Sequence, residues 1–131
     1  MTLRVGIDTV EVAAVEAALA AHGDRYLERV YTPREVADCG GSAERLAARF
    51  AAKEATLKAL RASDGGVPWP SVEVLRDPAG FTDLALTGRA AALAAEAGIS
   101  ELAVSLTHEA GLASAVVVAE SVKVSGAAAD R

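Results

Sequence analysis

From Val5 to Val12 (VGIDTVEV) the chain alternates with a period of two, with Val5, Ile7 and Thr9 on one face and Asp8 on the other, which predicts a strand. The alanine-rich run Ala13 to His22 takes helical spacing and stops at Gly23. Thr32-Pro33-Arg34-Glu35 opens a second helix: Thr32 caps it, Pro33 takes the first position, and Glu35 closes a capping box. Gly40 and Gly41 end that helix. The clearest periodicity runs from about Glu44 to Ala62, carried by Leu46, Phe50, Leu57 and Leu60. A loop from Ser63 to Pro68 leads into two strands, Val72 to Arg76 and Phe81 to Thr87, joined through Asp77-Pro78-Ala79-Gly80. Gly88 to Ala97 predicts another helix, ended by Gly98, and Leu102 to Thr107 and Ala113 to Glu120 predict strands paired through a turn around Glu109, Ala110 and Gly111. Beyond Val124 the apolar pattern is lost, so residues 121–131 are expected to be a loose tail to a domain spanning residues 1–120. No repeat or linker divides the chain. The order predicts one small α+β domain with an antiparallel sheet packed with helices.

Composition sharpens this picture. A chain of 131 residues has room for one core. It is 52% hydrophobic, but much of that is alanine and only 4% is aromatic. The core is therefore expected to be thin and close-packed, and oligomerisation is a natural way to bury more surface. The single Cys39 excludes an intramolecular disulfide and any multi-cysteine metal site, and suits a reducing compartment. No signal-peptide pattern is visible and no run reaches the roughly 18 apolar residues that cross a bilayer, so a cytoplasmic protein with no membrane partner is expected. A net charge of −5 argues against nucleic acid as a partner. Arg45, Arg49 and Lys53, at i, i+4 and i+8, form a local positive stripe whose plain reading is a solvated face.

Three segments carry candidate chemistry. Asp8 places a carboxylate in an apolar strand, where burial without a partner would be costly. It reads as a metal ligand, a helix-capping acceptor or half of an ion pair. Glu54 and Lys58 are an i, i+4 pair: either an exposed salt bridge worth a few tenths of a kcal/mol, or a carboxylate and an ammonium able to hold Mg²⁺ and a phosphate oxygen side by side. Mg²⁺ takes few carboxylates, several waters and substrate phosphates, so Asp8 and Glu54 would suffice. His108 and Glu109 end a strand beside a glycine-containing turn, a common place for functional side chains, although a lone histidine there is more often structural.

In this order the segments GIDTVEV, RFAAKEATLKAL and VSLTHEAGLASAVVVAE resemble the acyl-carrier-protein synthases, the small single-domain branch of the phosphopantetheinyl transferase superfamily. VYTPREVADC and SVEVLRD extend the resemblance over nearly the whole chain. The resemblance implies a Mg²⁺-dependent enzyme that moves 4′-phosphopantetheine from coenzyme A to a serine of an apo acyl carrier protein. It implies Asp8 and Glu54 as metal ligands and Lys58 as the phosphate contact that assists the departing 3′,5′-ADP. Lys53 would meet phosphate or carrier protein, and Ser105, Thr107 and His108 would lie near the CoA nucleotide. The Gly65 loop would adjoin phosphate, and either Glu109 or a metal-bound water would accept the serine proton. Relatives of this type are trimers with active sites at subunit interfaces, so a homotrimer is expected.

Two positions depart from the family pattern. Ala14 stands where an arginine is expected to grip an acidic helix of the carrier, so either Arg25, Arg29 or the Arg45/Arg49/Lys53 stripe supplies that charge or the partner differs. Arg61 to Gly66 (RASDGG) replaces a Gly-Thr-Gly-like loop and places Asp64 near the expected pyrophosphate. The alternative is a repurposed relative that binds CoA or a carrier without transferring the group.

Overall fold

The computed structural model describes residues 1–62 and 65–122. Its elements are β1 (Thr2–Glu11), α1 (Val12–His22), α2 (Asp24–Val30), α3 (Pro33–Cys39), α4 (Ala43–Ala59), a 3₁₀ turn (Trp69–Ser71), β2 (Val72–Arg76), β3 (Thr82–Leu86), α5 (Gly88–Glu96), β4 (Ile99–Glu109) and β5 (Leu112–Ser121). The strands form two antiparallel sheets, a three-stranded one in the order β1-β5-β4 and the hairpin β2-β3.

The alanine content acquires a purpose in α4. Ala47, Ala51, Ala52, Ala55 and Ala59 are all buried, and opposite them β5 turns Ala113, Ala115, Val117 and Ala119 inward. Small side chains on both surfaces let helix and sheet approach closely. The limit is reached at Gly6. A Cβ there would lie 1.9 Å from the Ala55 carbonyl oxygen and 2.9 Å from the Ala59 nitrogen. Only glycine fits between β1 and the α4 backbone.

The alternation predicted for β1 holds, with its apolar side outward: Leu3, Val5 and Ile7 are 70%, 65% and 63% exposed, whereas Gly6 and Val10 are buried and Asp8 is half-buried. Pairing residue for residue with β5 draws β1 back to Thr2 and ends it at Glu11, so Val12 belongs to α1. α2 is an element the pattern does not reveal, because seven residues after a glycine are too few for periodicity. α4 ends at Ala59, earlier than expected, and β4 runs on to include His108 and Glu109. The Thr32–Glu35 capping box forms as predicted. Ser121 is not tail: it is buried in β5 and its hydroxyl donates to the Ala97 carbonyl. The expected tail beyond Val122, and Ser63 and Asp64, lie outside the described residues.

Gly6→Ala is expected to lower the free energy of urea unfolding by about 3 kcal/mol, because the added carbon meets rigid backbone rather than a movable side chain. An unchanged unfolding midpoint would contradict this packing.

Candidate active site

The close approach at Gly6 brings three charged groups together. β1 turns Asp8 toward the helix at the level of Ala115 and Leu106, and α4 presents Glu54 and Lys58 one turn apart. Lys58 Nζ donates to Asp8 Oδ1 at 3.1 Å and to the Ile7 carbonyl at 2.9 Å. Asp8 Oδ2 is buried and meets no backbone or side-chain N–H. The Glu54 carboxyl is pushed up to about 7, chiefly by burial, then by its hydrogen bond to Asp8 and by the Asp8 charge, with Lys58 pulling the other way. This is a site short of positive charge. It offers hard oxygen donors and an unused buried lone pair, which fit a small divalent cation. Among the described residues no group of three or more His, Cys, Asp or Glu could hold a metal, so waters or phosphate oxygens would complete the shell.

A second constellation lies at the other end of α4. Arg45, Ala48 and Arg49 from the helix, Leu106, Thr107 and His108 from β4, and Arg76, Gly80 and Thr82 from the β2-β3 hairpin line a cleft of about 290 Å³. The Arg49 Nε and Nη2 atoms are buried without a hydrogen-bond partner, so guanidinium donors are available to an anion. His108 Nδ1 lies 3.6 Å from Glu44 Oε2 at the start of α4. The helix crosses the sheet from β4, where this cleft sits, to β1, where Asp8 sits. Two inter-strand spacings, about 10 Å, separate the two edges. A third feature, a groove of about 410 Å³, is lined by His22, Arg25, Tyr26, Arg29, Val30, Phe50 and Trp69. Phe50 and Trp69 meet edge to face in its wall, with centroids 5.0 Å apart.

A carboxylate pair beside a lysine, a cationic cleft and a basic-aromatic groove thus lie on one small domain. Residues 4–117 match the family model described as the 4′-phosphopantetheinyl transferase superfamily. The chain belongs to that superfamily. It is 48% identical over 120 residues to the holo-[acyl-carrier-protein] synthase of Beutenbergia cavernae, covering 92% of this chain and 99% of that protein. It is 40% identical over 124 residues to that of Geotalea daltonii, again covering 92% and 99%. Its fold is similar to that of the Helicobacter pylori holo-[acyl-carrier-protein] synthase in complex with coenzyme A, with a TM-score of 0.81 and 30% identity over 88% of this chain and 99% of that one.

Within this transferase domain the expected site residues separate into groups. Asp8, Glu54 and Lys58 meet; His108 and Thr107 line the cleft instead. Ser105 and Glu109 lie on the outward face of the sheet, in the same rows as Ile7 and Val116 and as Glu11 and Leu112 respectively. Gly65 is exposed in left-handed backbone after α4. The expectations for Lys53 and the solvated stripe are corrected. Lys53 is fully buried and bound within the fold, and Arg49 is buried as well, because α3 and the β2-β3 hairpin cover that face of α4. Arg76 was not foreseen as a cleft residue. Its only sequence signal is its place before the Asp77-Pro78-Ala79-Gly80 turn, which says nothing about what the hairpin packs on.

The raised Glu54 carboxyl predicts a pH dependence. The folded state holds a proton that the unfolded chain releases near 4.5, so this group's contribution to stability falls as pH rises from about 4.5 to about 7. Comparing wild type with Glu54→Gln by thermal melting should show the loss only in wild type. Added Mg²⁺ should raise the wild-type Tm above pH 7 and do little at pH 5. A Mg²⁺ effect of equal size in both proteins at both pH values would contradict the assignment.

Proposed function

We propose that this protein is a holo-[acyl-carrier-protein] synthase, which transfers the 4′-phosphopantetheine of coenzyme A to a serine of an apo acyl carrier protein and releases adenosine 3′,5′-bisphosphate. The observation that carries the reading is the meeting of Asp8, Glu54 and Lys58 in a chain matched nearly end to end by relatives of that name. A lone cysteine, buried as a thiol, suits work in the cytoplasm.

In the reaction the serine Oγ bonds to the β-phosphorus of coenzyme A while the bond from that phosphorus to the bridging oxygen breaks, and the electron pair leaves on adenosine 3′,5′-bisphosphate. Catalysis of this kind rests on position and on cations set against developing charge. Asp8 and Glu54 would hold Mg²⁺, which supplies charge neutralisation at the pyrophosphate when bound. Lys58, whose ammonium rests at the Asp8 carboxylate, would lie beside phosphate oxygens brought to that pair. The unpartnered donors of Arg49, with Arg45, Arg76 and His108, suit the remaining nucleotide phosphate. The serine proton goes to a water beside the carboxylate pair; Glu109, outward-facing at the end of β4, could take it only across an interface with an adjacent chain.

Two observations support a trimer. The carboxylate pair and the cationic cleft open at opposite edges of one sheet, so each edge is free to meet the other edge's site on an adjacent chain. The outer sheet face carries an apolar band, Leu3, Val5 and Ile7 on β1 beside Val116 and Val118 on β5, of a kind that a second copy would cover. A head-to-tail ring of three closes such an interface and forms three equivalent sites.

The groove beside α2 suits the carrier. Tyr26, Val30, Phe50 and Trp69 offer an apolar wall, and Arg25, Arg29 and His22 a basic rim, matching an acidic amphipathic helix. Exposed alanines, Ala14 among them, leave α1 little charge of its own, so the grip passes to α2.

Intact-mass spectrometry of apo carrier proteins incubated with this protein, CoA and Mg²⁺ should show one added phosphopantetheine per chain. The gain should disappear with EDTA or in Glu54→Ala. Binding of CoA and Mg²⁺ without any mass gain would support the repurposed relative instead. In the same assay, replacing Arg25 and Arg29 together with alanine should raise the KM for carrier about tenfold and leave that for CoA unchanged. An unaltered carrier KM would refute the docking groove.

A further inference from the structure

Lys53 is the residue of α4 whose role departs furthest from its surroundings. It and Glu35 are both 0% exposed, and Lys53 Nζ donates to Glu35 Oε1 at 2.7 Å. Its other two donors reach the carbonyls of Trp69, at 3.2 Å, and Val72. An ammonium has three donors, and all three are used. Glu35 is equally committed: Oε1 also accepts from the Thr32 amide at 2.9 Å, and Oε2 accepts from the Val74 amide at 2.8 Å. The hub therefore ties together the first turn of α3, the middle of α4, the 3₁₀ turn and both ends of the Val72–Val74 segment. Thr32 adds a second tie, donating through Oγ1 to Glu73 at 2.6 Å.

A buried ion pair is weak evidence for stability, because apolar groups of similar volume often replace it at no net loss, but it is geometrically exacting. What this one sets is the placement of β2 on α4. β2 continues to Arg76 and into the turn containing Gly80, which form one wall of the cationic cleft. α4 supplies another wall through Arg45 and Arg49, two turns and one turn before Lys53, and carries Glu54 immediately after it.

We propose that Lys53, paired with Glu35, is a positioning residue for the transfer reaction: it sets the spacing of the two walls of the nucleotide cleft and touches neither CoA nor carrier. This rests on the transferase reading, and it replaces a phosphate contact with an internal strut. Removing the strut loosens the grip on CoA while the Asp8–Glu54–Lys58 group, on the side of α4 toward β1, is left in place.

The test compares wild type, Lys53→Met and the charge-balanced double variant Glu35→Leu with Lys53→Met. Each is assayed for Tm and for kcat and KM toward CoA and carrier. Wild-type transfer, measured first, tests the transferase reading separately. Lys53→Met leaves Glu35 buried and unpaired, so its Tm should fall. The double variant should recover most of that Tm, yet its KM for CoA should stay raised by roughly 10- to 100-fold, with kcat and the carrier KM close to wild type. A double variant that regains both Tm and CoA affinity would reduce the pair to a structural one and overturn the proposal. A Lys53→Met protein that folds with normal CoA KM, or that loses kcat alone, would overturn it as well.

Discussion

A carbon atom on Gly6 would stand 1.9 Å from the Ala55 carbonyl oxygen, and the chemistry of this protein depends on that carbon being absent. With β1 lying against the α4 backbone, Asp8 two residues along the strand comes within reach of Glu54 and Lys58 on the helix. A longer separation would leave Lys58 free of Asp8 and allow each carboxylate its own water. Instead the two acids share a partly dry space, one of them with its carboxyl pushed up to about 7. That electrostatic deficit makes the site receptive to a cation and to the phosphates the cation brings. The alanines of α4 and β5 extend the same close approach along the core.

The helix that gathers this group also divides the work. Its C-terminal half faces β1 and the carboxylates, and its N-terminal half faces the cationic cleft under β4 and the β2-β3 hairpin. The buried Glu35–Lys53 pair lies between these regions, where α3, α4 and β2 meet. A chain with so few aromatics has little bulk with which to lock a hairpin onto a helix. Directional bonds from one ammonium and one carboxylate accomplish that with few atoms.

Much of this was legible in the residues. The strand around Asp8, the capping box at Thr32, the long helix and the terminal hairpin follow from local patterns that the fold leaves intact, while type and spacing left Asp8, Glu54 and Lys58 open between structural and chemical roles and the family resemblance implied the latter. What failed to show was tertiary. The period-two pattern of β1 marks two faces without saying which is inward, and here the apolar one faces out. Arg45, Arg49 and Lys53 do share a helix face, but whether that face meets water depends on α3 and a hairpin arriving from elsewhere in the chain. Arg76 joins the cleft for the same reason. The separation of Ser105 and Glu109 from Asp8 follows from strand order, which puts β5 between β1 and β4, and nothing in the short-range pattern encodes that order.

The proposed working site takes its carboxylates from one chain and its cationic cleft from the next. Complementation tests it most directly: Glu54→Ala and Arg49→Ala, each inactive alone, are co-expressed in equal amounts and assayed for carrier modification. In randomly mixed three-chain rings, about a quarter of the sites unite an intact carboxylate pair with an intact neighbouring cleft, so about a quarter of wild-type activity should return. Mixed assemblies that form and remain inactive would show that each chain works alone.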